Sequence, residues 1–110
     1  PTAGEVLLDR TIIHEGKEIY LERLSVEEGR ICLHYRLPGQ QVCFPAYLPD
    51  FRLEDNGGRP PGHIRHFWGN ETGRIEIILV DPEKRDLTLN LAAIGEKLPD
   101  LVFDRIPAEN

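Results

Sequence analysis

Apolar and polar residues trade places at every step through several short stretches of this chain. From Arg30 to Leu37 the order is RICLHYRL, which sends Ile31, Leu33, Tyr35 and Leu37 to one side and Cys32, His34 and Arg36 to the other. An extended strand turns that order into one apolar and one polar face, because its side chains reverse direction at each residue. The same period gives inward sets Ile75, Ile77 and Leu79 in RIEIILV, and Leu87, Leu89 and Leu91 in DLTLNLA. Near the end, Leu101 and Phe103 share a side. In EIYLERLSV the alternation puts Ile19 and Leu21 on one side and Tyr20, Glu22 and Leu24 on the other. The stretch from Val6 to Ile13 is apolar, with β-branched Thr11, Ile12 and Ile13.

Turn-forming residues separate these runs at short intervals: Glu15-Gly16-Lys17, Glu28-Gly29, Pro38-Gly39, Asp55-Asn56-Gly57-Gly58, Asn70 to Gly73 and Asp81-Pro82. Short strands, frequent turns and no long helical stripe predict an all-β fold, an antiparallel sandwich of about seven strands. A short helical turn is expected within Asn90 to Lys97, where Ala92, Ala93 and Ile94 interrupt the alternation. The stretch from Pro38 to Phe51 is too rich in proline and glycine for a central strand. It reads as a crossover between two sheets whose Phe44, Tyr47 and Phe51 cap the core.

At 110 residues the chain fits a single domain spanning 1–110. A net charge of −6 argues against bulk attraction to nucleic acid or to an anionic membrane surface. Its longest apolar run, Ile77 to Val80, is far short of the roughly 20 residues of a membrane helix. The chain starts at Pro1 and contains no methionine, so it reads as a piece of a longer polypeptide. Cys32 and Cys43 leave two readings open, one bridge or two thiols.

The most chemical stretch is Leu53 to Trp68, LEDNGGRPPGHIRHFW. Asp55 to Gly58 supplies residues tolerant of positive φ, which a tight hairpin turn requires. A phosphate-binding loop needs a following helix and a lysine at fixed spacing, and neither is present. His63 and His66 are candidate metal ligands, but on a strand residues three apart face opposite sides. Both therefore read as solvent-facing imidazoles, and no metal or cofactor is expected. Arg52, Arg59, Arg65 and Arg74 make this the most basic region of an acidic chain, suited to an acidic partner or simply to a soluble strand surface. The acidic turn Asp81 to Asp86 lacks the spacing of a calcium loop. Asn70-Glu71-Thr72 matches a glycosylation acceptor and supports a surface turn.

Catalytic signals are weak. Ser25 is the only serine and lies in a strand without an elbow motif. Cys32 and His34 share a strand face, as residues two apart routinely do, so no catalytic residue is assigned. Tyr47, Arg65, Phe67 and Trp68 are the candidate ligand-binding set, because aromatic faces stack on sugar rings and flat ligands.

The succession KEIYLERLSVEEGRICLHYRLPG, LPDFRLEDNGGRPPG, RIEIILVDPEKRDLTLNLAAIG and LVFDRIP resembles the immunoglobulin-like domains in the extracytoplasmic parts of bacterial membrane-anchored proteins, some of them anti-sigma-factor-like and many uncharacterised. Leu53, Asp55 and Gly57 match a strand-end turn of that group, Leu87-Thr88-Leu89 a following strand, and Ile106-Pro107 the close of the last one. The resemblance runs from about Lys17 onward. It implies an immunoglobulin-like sandwich and an extracytoplasmic accessory or sensing module. Such a module is not an enzyme; it acts through contact with a protein partner, within a parent chain anchored in a membrane. A small-ligand or carbohydrate-binding module is the alternative.

Overall fold

Among the described residues of the computed structural model every element is a strand, and the strands pair antiparallel. The structure describes residues 3–14, 16–27, 29–39, 53–55, 57–69, 71–81, 86–91, 96–97 and 101–102. In chain order the strands are β1 (Ala3–His14), β2 (Lys17–Glu27), β3 (Arg30–Arg36), β4 (Leu53–Glu54), β5 (Gly62–Gly69), β6 (Thr72–Leu79), β7 (Asp86–Leu87), β8 (Asn90–Leu91), β9 (Glu96–Lys97) and β10 (Leu101–Val102). A five-stranded sheet runs β1-β2-β3-β6-β5; β4-β8-β9 and β10-β7 form two smaller ones.

The five-stranded sheet has an apolar inner face. Ile31, Leu33 and Tyr35 on β3 and Ile75, Ile77 and Leu79 on β6 are buried, as the alternation requires. Val6, Leu8 and Ile12 of β1 and Ile64 of β5 pack against the same core. Leu37, Leu53, Leu89 and Leu91 complete it, so β4 and β8 contribute to the interior shared with the large sheet. Among the described residues the buried set is apolar except for Glu76, which sits on the opposite face.

Three sequence expectations need correction. The inward residues of β2 are Ile19, Leu21, Leu24 and Val26, so Leu24 joins Ile19 rather than opposing it. The reason is a bulge: β2–β3 pairing jumps between Leu21 and Arg23, and one extra residue reverses the pleat. A matching irregularity on β1, between Leu7 and Arg10, holds Asp9 at φ 44°. Second, the glycine-rich stretch after Leu53 does not join a hairpin. β4 pairs with β8 whereas β5 pairs with β6, so the chain there passes from one sheet to another. The turn chemistry itself is as read: Asp55 Oδ1 accepts from the Gly57 and Arg59 amides at 2.9 and 3.0 Å, and Gly58 takes φ 75°. Third, Asn90-Leu91 and Glu96-Lys97, at the ends of the stretch expected to hold a helical turn, are paired strands, and Ala92, Ala93 and Ile94 between them lie outside the described residues.

DLTLNLA also splits. Leu87 belongs to β7 and pairs with β10, while Leu91 belongs to β8 and pairs with β4 and β9. The stretch 40–52, with Cys43, Phe44, Tyr47, Phe51 and Arg52, lies outside the described residues, as does Phe103. The strands before and after 40–52, β3 and β4, belong to different sheets, as a crossover requires.

Candidate functional site

The outer face of the five-stranded sheet carries the polar chemistry. The β2–β3 hairpin sets Ser25 opposite Cys32 and Arg23 opposite His34. β6 then sets Arg74 beside His34 and Glu76 beside Cys32, and β5 adds Phe67 beside Arg74 and Arg65 beside Glu76. Residues from four strands thus form one patch, fixed by strand register.

Ser25 Oγ and His34 Nε2 are hydrogen-bonded at 2.9 Å, a diagonal contact across neighbouring strands. Burial, and then the nearby Arg23 charge, hold the His34 imidazole below its usual protonation range, so it is neutral at pH 7. Burial pushes the Cys32 thiol upward, against the opposing pull of Arg74, and leaves it a weak nucleophile. Cys32 is a free thiol. The thiol–imidazole arrangement considered from sequence is therefore replaced by a hydroxyl–imidazole pair.

Arginines dominate the surrounding charge. Arg23 meets Glu5 at 2.9 Å and also Glu22; Arg36 meets Glu22 at 3.2 Å; Arg30 pairs with Glu27. Glu76 lies between Arg65 at 3.5 Å and Arg30 at 3.7 Å, and its Oε1 is buried without a hydrogen bond. Arg74 has no carboxylate partner among the described residues. Its guanidinium carbon lies 4.3 Å from the centre of the Phe67 ring, with that of Arg65 at 5.1 Å. Two depressions of about 340 Å³ each open on this face, and His34 and Arg74 line both.

The four residues singled out from sequence fare differently. Arg65 and Phe67 do meet on this face. Tyr47 and the side chain of Trp68 lie outside what the structure describes; the Trp68 backbone pairs with Gly73. Of the basic stretch, Arg65 and Arg74 gather around Phe67, whereas Arg59 stays in the exposed Asp55 turn.

His63 and His66 do face opposite ways, but only His63 is exposed. His66 points inward, where its Nε2 is hydrogen-bonded to the Tyr35 hydroxyl at 2.6 Å, the two rings edge-on. Burial lowers His66 and raises Tyr35 far above the usual phenol range, so uncharged partners make this bond. The expectation of a solvent-facing His66 is thus overturned, because Ile64 and His66 share the core side of β5. Among the described residues no group of three His, Cys, Asp or Glu side chains converges as a metal centre.

Sequence reasoning passed over Ser25, His34 and Arg74 as a group. The usable signal was the Glu28-Gly29 turn. A two-residue hairpin loop there pairs Glu27 with Arg30 and so brings Ser25 opposite Cys32, with His34 on the diagonal. No protein-family model, curated protein or solved structure matches the chain.

Proposed function

We propose that this domain is a non-catalytic contact module, an immunoglobulin-like sandwich in the extracytoplasmic part of a larger, membrane-anchored protein, which works by docking a protein partner. What supports this reading is β1. It is a twelve-residue strand at the edge of the large sheet, paired only with β2 among the described residues. Its outward Leu7 and Ile13 are 77% and 71% exposed. A long open edge offers unpaired backbone groups to an incoming strand, and apolar side chains beside it give that strand something to bury. The immunoglobulin-like arrangement draws support from the core shared between the large sheet and Leu53, Leu89 and Leu91.

The test is site-specific photo-crosslinking in the full-length protein within its own cells, with the reactive residue at Leu7 or Ile13 and, as a control, at exposed His63 on the opposite edge. One discrete adduct from the β1 positions and none from position 63 is the expected result. Equal labelling from all three positions, or none from β1, removes the edge-strand reading. A small-ligand role for the outer face is the second reading, favoured by the depressions that His34 and Arg74 share.

A further inference from the structure

We propose that the outer-face groove around Arg74 holds a small oxyanion, the phosphate or carboxylate group of a ligand, with the Arg74 guanidinium as its main anchor and the Ser25–His34 pair as a supporting donor. This deepens the small-ligand reading and does not depend on the edge-strand reading.

The charge pattern comes first. Arg23, Arg30, Arg36 and Arg65 on this face are each matched to glutamates. Arg74 is not, among the described residues, and it lies at the junction of both depressions. Its contact with Phe67 engages the guanidinium over the ring and leaves the planar fork of N–H donors for an oxyanion, the geometry that arginine matches best. The glutamates lining the same groove, Glu27 and Glu76, are held by Arg30, and Glu76 also by Arg65. The Arg74 end therefore keeps a net positive character within a chain of net charge −6.

The Ser25–His34 bond supplies a donor in either tautomer. If Nε2 accepts from the serine hydroxyl, Nδ1 carries the remaining N–H; if Nε2–H donates, the serine O–H is available. One donor beside a stacked guanidinium, on a groove of about 340 Å³, suits a compact anionic group. Metal binding does not fit a rim of arginines.

The experiment titrates the intact chain with inorganic phosphate, succinate and neutral glucose at low salt, followed by amide NMR shifts. Saturable shifts at His34 and at Gly73 to Ile75 with phosphate or succinate, absent with glucose, are expected. The stronger of the two anions identifies the ligand's group, and either order supports the proposal. Arg74→Gln should weaken binding at least about tenfold, the loss of a charge-assisted pair, while Arg59→Gln should leave it within about twofold, since Arg59 sits in the exposed Asp55 turn and lines neither depression. Should Arg74→Gln fail to fold, Arg74→Lys keeps the charge without the fork and is expected to bind with intermediate strength. Anion binding indifferent to both Arg74 variants overturns the proposal. Glucose binding without anion binding also overturns it but leaves the small-ligand reading standing. Silence from all three ligands removes both.

Discussion

Gly73 shows how a single missing side chain organises its surroundings. A Cβ there would collide with the ring and hydroxyl of Tyr35, which lies over the glycine and reaches His66. An aromatic ring covering a strand glycine restores packing that the glycine alone forfeits. Gly73→Ala should therefore cost about 1–3 kcal/mol by overpacking, measured by denaturant unfolding. The Tyr35–His66 bond carries a pH signature as well. His66 and His34 both sit below their unfolded protonation range. The unfolded chain thus takes up protons first, and stability falls as pH drops below about 6.5 toward the folded values, then levels off. Thermal midpoints between pH 7 and pH 5 should show this decline, and His66→Gln should flatten it. Glu76 makes the opposite point about buried charge. Its two arginine partners are about half exposed and can return to water, and its Oε1 lacks a hydrogen bond. Glu76→Leu is expected to leave stability within about 1 kcal/mol or to raise it.

Among the elements, β3 and β6 were readable from their residues because each keeps an unbroken two-residue period between sharp turns. β2 was not, since a bulge leaves no reliable mark in a run where Glu22, Arg23 and Leu24 suit either face. Its consequence is large. A simple pleat kept through all eleven residues, with Glu22 in place and no bulge, would send either Ile19 and Leu21 or Leu24 and Val26 to the solvent side. Two such side chains are worth about 3–6 kcal/mol, a large part of a typical domain's stability, whereas deleting Glu22 removes the extra residue and leaves all four on the inner side, so that variant should still unfold cooperatively in a calorimetric scan. The Asp55 turn illustrates a different limit. Residues tolerant of positive φ announce that the chain bends, but not which strand it will meet next, and the partners of β4 and β5 are set by contacts far along the sequence. The Ser25–His34–Arg74 patch was hidden for the same reason: its members come from three strands and meet only once register is known.

For the whole molecule, composition and alternation fixed the class, all-β and antiparallel, while the arrangement of sheets depended on long-range pairing. β3 waits for β6 before the centre of the large sheet closes, and Arg30 pairs with Ile78 at its far end. Loop closure of that length is entropically slow, so refolding is expected in the millisecond-to-second range. Stopped-flow fluorescence of Trp68, the only tryptophan, measures it. A microsecond phase carrying the full amplitude would contradict the topology. The same topology explains why the outer face can be chemically varied at low cost: the core is complete on the other side, so substitutions at Arg74 should alter binding without unfolding the chain.

Asp9 divides the exposed margin of the large sheet. Its left-handed backbone interrupts β1 near the middle, and the Tyr20 hydroxyl, donating to Oδ1 at 2.8 Å, helps to hold it there. An incoming peptide cannot zip along all twelve residues in one continuous ladder. It meets two berths instead, one on either side of the kink, each about five residues or roughly 17 Å long. Short linear motifs fit such berths, whereas a long amyloid-like template does not, and the kink thereby shields the molecule from stacking on its own copies.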